Sequence, residues 1–408
     1  MPSLPENQCL EKTPDRLVAA VAKPKNLQPI CRTPESSSEP NPDLEPQSRF
    51  EQSDEDYFPE RGRAAWSALA GCFCAWMSAF GLMNTVGTFQ ACLHNHQLSA
   101  YSEAEIGWIF GLYLFMAYCC GVQAGPIFDA IGPRILTAIG SVNIIASMFL
   151  LGACHRYWHF IIVFGILGGL GTSLLSTVAI GTIGHYFNVR RGFATGIASC
   201  AGSLGGVLFP LMLSSLFESA GFAWATRALG LIFVFLTIIA NFLIRSRLPI
   251  KPISRSNILP DLRIFRDRTF LIMTIALFLV EWGLFTSLSY LTSFALAAGI
   301  RRALAYQLLS ILNAGSFFGR WAPGLLADKI GRFNTMILMI AQCLVTTLAL
   351  WLPAALTTNA KIKEGLLLAF SLLFGFASGS NITLGPVCAF AKPRTTGSTL
   401  LHATLSSA

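Results

Sequence analysis

Ten stretches of this chain are each long and apolar enough to cross a lipid bilayer. That recurrence limits the fold more than any single motif. A helix needs about 20 mostly apolar residues to cross ~30 Å of hydrocarbon. The stretches are 65–92, 106–127, 135–153, 158–183, 193–217, 223–243, 270–296, 303–326, 335–356 and 365–390. Inside lipid every backbone N–H and C=O must be bonded within the protein, so segments of this length are read as helices. The expected class is an all-α polytopic membrane protein. A soluble domain is excluded by charge as well, since 12% of the residues are charged against roughly 25% in soluble domains.

The charges are also segregated. Residues 1–63 hold 12 acids and 8 bases, net −4, while the other 345 residues hold 9 acids and 21 bases, net +12. A basic balance can signal nucleic acid, but here the bases sit in short loops between apolar runs, so membrane topology explains them. With the first tail placed in the cytoplasm, the inner loops carry 14 Lys/Arg and the outer loops 5. The expected domains are therefore a disordered cytoplasmic tail (1–62), a six-helix half (63–248) and a basic cytoplasmic linker (249–269), then a four-helix half (270–390) and a polar cytoplasmic tail (391–408). The tail has the Pro, Ser, Glu and Asp content of a segment that cannot offset its ordering entropy. It lacks the pattern of a cleavable signal peptide, so the first span is expected to target the chain.

A short charged sequence recurs. Gly125, Asp129 and Gly132 are echoed 199 residues later by Gly324, Asp328 and Gly331, and the arginine just after them, Arg134, by Arg332, each set following the second apolar run of its half. Related halves with matching turns are the layout of secondary transporters built from repeats. The pattern G-x-x-x-D-x-x-G with a following arginine resembles the loop signature of the major facilitator superfamily. Further stretches resemble its fungal monocarboxylate-porter-like branch: Arg63-Ala-Ala-Trp66, Tyr101-Ser102 with Ile106-Gly-Trp108, and Ser203-Leu-Gly-Gly-Val-Leu-Phe-Pro210. Trp224-Ala-Thr-Arg227, Ser246-Arg-Leu-Pro249, and Asn313 with Gly319-Arg320 complete the set.

That resemblance implies a twelve-helix bundle of two pseudo-repeats with a central cavity and alternating access. It also implies that the two turns latch the cytoplasmic gate, each docking against the opposite half. This sequence departs from the family after about Cys388, where relatives continue into two more helices. The expectation is a 6 + 4 arrangement, with weak transport unless the chain pairs with another copy.

Three ionisable residues lie within apolar spans: Arg227, Glu281 and Arg320. A charge at the bilayer centre costs at least ~2.5–3.5 kcal/mol, so each should face a cavity or a partner. Arg320, about six residues from the inner end of its expected span, is the candidate for an anionic substrate or for the gate, and the resemblance supports that role. Porters of the resembled branch place an acid four residues before this arginine and a lysine in the first helix. Here the acid's position is Ser316 and the first span has no lysine. Glu281, the mid-span acid, is either a proton relay or a rim residue. Arg227, near an outer end, is more simply structural and could reach the interface. Asn313 and Ser316 complete the candidate set.

Glycines crowd the fourth and fifth spans (Gly165, Gly168, Gly169, Gly171, Gly196, Gly202, Gly205 and Gly206) and permit close helix approach. Nine of the eleven cysteines lie in apolar runs without C-x-x-C spacing and are read as packing residues rather than metal ligands. No H-E-x-x-H, G-x-S-x-G or phosphate-binding loop is present, so an enzyme is not expected. The expected function is secondary transport of a small organic acid or related metabolite. The alternatives are efflux of a fungal secondary metabolite, or a truncated non-transporting protein or sensor. Expected partners are a small, anionic or metabolite-like substrate and the bilayer, with self-association possible and no nucleic acid. No cofactor is expected, and a proton is the coupling ion considered. The plasma membrane is the expected location, with vacuolar or other endomembranes as alternatives.

Overall fold

The computed structural model describes residues 62–247 and 266–389. Most of the expected tails and linker lies outside these residues. Among the described residues every regular element is a helix. In order come α1 (Arg63–Asn84) and α2 (Val86–Asn95), then α3 (Glu103–Ile131), α4 (Pro133–Leu151), α5 (Tyr157–Tyr186), α6 (Arg191–Ser219) and α7 (Phe222–Leu243). After the undescribed stretch follow α8 (Arg268–Ala297), α9 (Arg302–Ile330), α10 (Arg332–Leu356) and α11 (Ala360–Ala389).

Nine of these helices are long and apolar enough to cross a bilayer. α9 has the length, 29 residues, but is more polar. It carries Asn313, Ser316, Arg320 and Asp328 at i, i+3, i+7 and i+15, which puts them on one stripe.

The first expected span is not one helix: α1 stops at Asn84, and Thr85 donates its hydroxyl to the Leu82 carbonyl at 2.6 Å. The helix starts follow ordinary cap chemistry. Ser102 accepts from the Glu105 amide while the Glu105 carboxylate accepts from the Ser102 amide, a reciprocal capping box. Asp267 accepts from the Thr269 amide, and Asn359 from the Lys361 amide.

Within α5, residues Ile161–Gly168 wind as a π-helix. A wider turn disturbs the i→i−4 ladder, and Ser147 of α4 donates to the Val163 carbonyl at 2.8 Å inside it.

The core of the first half is a single cluster running through Trp76, Phe89, Tyr113, Phe164, Phe209 and Phe233. Polar groups inside it are paired: Tyr113 and Thr172 share a hydrogen bond of 2.9 Å, and the Trp76 indole donates to the Ser176 carbonyl. The second half has two smaller clusters, one around Leu308, Phe370 and Phe374 and one around Met336, Leu384 and Cys388. α9 and α11 cross at backbone distance. A Cβ on Gly319 would fall 1.9 Å from the Phe376 carbonyl, and one on Gly375 would fall 2.2 Å from that of Leu312. The two helices carry Gly315-x-x-x-Gly319 and Gly375-x-x-x-Gly379, spacings that bring backbones together in membrane bundles.

Candidate functional site

The repeated charged sequence is mostly helix rather than turn, which corrects the sequence expectation. Asp129 lies in the last turn of α3 and Asp328 in the last turn of α9, and a single residue separates each of these helices from the next. That residue is Gly132 (φ 79°) or Gly331 (φ 101°), the C-cap of one helix and the N-cap of the next. A side chain at positive φ clashes with the following carbonyl, which is why glycine stands at both corners. The same extension to Ile330 puts Arg320 ten residues from the end of α9 instead of six. At 1.5 Å per residue that is about 15 Å, near the middle of the helix.

The second copy is docked against the first half. Asp328 accepts from the amides of Gly192 at 3.0 Å and Phe193 at 2.9 Å. These are among the first four amides of α6, which have no acceptor inside their own helix, and the carboxylate also meets the positive end of the helix dipole. Arg332 donates to the Asn188 carbonyl at 2.7 Å. Gly324 lies so close to Gly192 that a Cβ there would fall 2.5 Å from its carbonyl oxygen. In the first copy Gly125 has open space around it, and Asp129 and Arg134 are exposed.

From this docked end a seam between α6 and α9 runs toward the middle of the helices. A Cβ on Gly196 would fall 2.5 Å from the Arg320 carbonyl. Arg320 is 3% exposed; its Nη1 donates to the Ser199 carbonyl of α6 and its Nε to Ser316 Oγ at 3.3 Å. Ser203 donates to Ser316 at 3.2 Å, and the Ser199 hydroxyl bonds Thr383 of α11 at 2.8 Å. Asn313 is buried two turns before Arg320 on the same stripe. Beyond the seam Leu208 and Leu211 of α6 are exposed.

Glu281 of α8 is half-buried. Tyr118 of α3 donates its hydroxyl to Met83 Sδ of α1 at 3.8 Å. Arg227 stands apart, near the start of α7, its guanidinium 5.2 Å from the Trp224 ring centre. That contact is a cation–π pair between residues one turn apart.

Sequence reasoning found Arg320, Ser316, Asn313 and Asp328 but missed Ser199, Ser203 and Thr383. The signal for the serines was the small-residue spacing Gly192, Gly196, Ser199, Ser203 along one side of α6. Of these four, Gly196 alone is among the glycines that the sequence marks for packing. Among the described residues no group of His, Cys, Asp and Glu is arranged to hold a metal ion.

Comparison with known proteins gives this geometry a context. The family model described as Major Facilitator Superfamily matches residues 68–407. The chain is 38% identical over 335 residues to "MFS-type transporter 1" of Ophiocordyceps sp., covering 82% of this chain and 72% of that protein. It is 36% identical over 330 residues to the aspyridones efflux protein apdF of Emericella nidulans, covering 81% and 65%. It is 35% identical over 353 residues to the riboflavin transporter MCH5 of Saccharomyces cerevisiae, covering 81% and 66%. Among solved structures, the human organic anion transporter MFSD10 superposes with a TM-score of 0.59 at 17% identity, over 82% of this chain and 86% of that one. At that identity the likeness speaks for the fold alone.

Proposed function

Because the chain belongs to the Major Facilitator Superfamily, an integral multi-pass family of membrane transporters, we propose that it moves a small organic acid or related metabolite by alternating access. The observation that carries the anionic part is Arg320. It is a guanidinium 3% exposed whose hydrogen bonds go to a peptide carbonyl and a hydroxyl, with no carboxylate in bonding distance among the described residues. A buried cation held only by neutral acceptors is costly, and an anion entering the space between the halves lowers that cost. Such a site fits the monocarboxylate-porter-like branch, although Ser316 stands where an acid is expected.

In this reading the ten long helices span the membrane as 6 + 4. The docked turn is the cytoplasmic latch, Glu281 is the proton relay, and the plasma membrane is the site of action. Arg320→Ala is expected to abolish uptake of a labelled carboxylate into vesicles while leaving membrane insertion intact. Unchanged uptake at equal protein would remove Arg320 from the substrate path. Reporter fusions within 94–104 and at Ala391 check topology, and an extracellular signal at Ala391 would overturn it.

A second reading is efflux of a larger fungal metabolite. It is supported by the similarity to a protein named for aspyridones efflux. Export of a neutral, hydrophobic compound unaffected by Arg320→Ala would favour it.

A further inference from the structure

Arg320 does more than sit near the middle of the bundle; it ties the two halves to each other. Its Nη1 reaches the Ser199 carbonyl on α6, across the interface, while its Nε is held by Ser316 on its own helix. The other contacts of the seam lie between Arg320 and the docked end, at Gly196, at Gly192 against Gly324, and at Asp328, except for Cys200 on Phe317 and Ser203 on Ser316, within about one turn further out. Arg320 therefore stands close to the inner limit of the packed seam, where separation of α6 from α9 would begin.

Two features suit it to a bond that is made and broken. The acceptor is a neutral carbonyl, whereas a carboxylate can meet a guanidinium with two parallel N–H···O bonds. The guanidinium is also underused: of its five N–H donors, the Nη2 pair has no acceptor among the described residues. Its place on α6 is kept open by Gly202, where a Cβ would fall 2.8 Å from Nη1.

We propose that Arg320 is a displaceable clasp: it holds the Ser199 carbonyl while the docked end is closed, and an anionic group of the substrate takes over its donors and frees α6 from α9. The proposal rests on the anionic reading above for its release step, but not for the clasp itself. Gly202 and Ser316 are then positioning residues, one reserving space for the guanidinium and the other aiming it. Binding and opening become one event, because the group that neutralises the buried cation also removes the bond across the seam.

The neighbouring Cys200 reports on the seam. It is 4% exposed and its thiol donates to the Phe317 carbonyl of α9 at 3.2 Å, so a reagent reaches it only when α6 and α9 part. Cys72, fully buried in the core of the first half, stays protected unless the protein unfolds. The full chain in lipid nanodiscs would be exposed to a membrane-permeant maleimide, with labelling of each cysteine followed by peptide mass spectrometry. Pyruvate is the added carboxylate.

Arg320→Gln, which removes the charge, and Gly202→Ala, which keeps the charge but displaces it, should each raise Cys200 labelling by about tenfold or more. Loss of a hydrogen bond to a charged group is of that order. Pyruvate should raise labelling in the unaltered protein and have no further effect in Arg320→Gln, with Cys72 protected throughout. If both variants label like the unaltered protein, the clasp does not exist. If pyruvate is transported but leaves Cys200 protected, release is not coupled to binding and the proposal fails while the anionic reading stands. If no carboxylate is transported yet both variants label faster, the anionic reading and the release step fall, and the clasp alone survives.

Discussion

The two copies of the repeated charged sequence look alike on paper and are used differently. Gly324, Asp328 and Arg332 are packed against the start of α6, with Asp328 bonding two of its amides. Gly125 faces open space, and Asp129 and Arg134 are exposed. The same contrast extends to the helices that open the halves. Of the most apolar stretch of α1, 56% is buried; of that of α8, 6%. α1 packs against α5, α6 and α7, whereas α8 packs against α9 and α11. A motif specifies a corner, and what the corner does depends on which helix end lies opposite.

Paired substitutions can break this comparison. The largest difference is expected for Gly324→Ala against Gly125→Ala. The first forces a Cβ to within 2.5 Å of the Gly192 carbonyl, backbone against backbone. It should cost about 1–3 kcal/mol, the usual range for overpacking, and lower the thermal midpoint in detergent. The second adds a methyl to a helix with room for it and should be neutral or stabilising by up to about 1 kcal/mol. Equal losses in both would mean the first copy is packed as well.

A second pair should show no asymmetry. Gly132→Ala and Gly331→Ala both place a side chain at positive φ, at about 1–2 kcal/mol each. A midpoint that falls in one variant only would show that the two corners are not equivalent even in backbone.

The smallest single-variant effects are expected for Asp328→Asn against Asp129→Asn. Neutralising Asp328 removes a charge from the start of α6, worth about 1 kcal/mol in a partly buried setting. Asp129 is exposed, so its neutralisation should stay within ~0.5 kcal/mol. Denaturation in detergent compares the two directly, and a larger effect at Asp129 would reverse the assignment of the docked copy.

Several features were legible without coordinates. The regular elements among residues 62–247 and 266–389 are all helices, as the apolar segmentation requires. Arg320 could be singled out because a cation in an apolar run needs a reason to be there. The helix ends were harder to place. The last turn of α9 contains Asp328 and Lys329, and charge in a run normally marks a loop, so the span was ended four residues early. The serines of the seam were hidden for a different reason. Ser199, Ser203, Ser316 and Thr383 are ordinary in sequence and matter because three helices bring them together. Arg227 gave the same apolar-run signal as Arg320, but its place near the outer end of its run set it apart as the more structural of the two; it lies over Trp224.

The sequence by itself determined that this is a helical membrane bundle with a duplicated corner, because hydrophobic length and the glycine at each corner are local properties of the chain. Only the tertiary structure decided that Asp328 caps α6, that Arg320 bonds the Ser199 carbonyl across the interface, and that α1 is buried where α8 is not. Those outcomes depend on which surfaces meet. A hydrogen bond between residues 121 positions apart is fixed by the packing of whole helices, to which the residues near either partner contribute only a part.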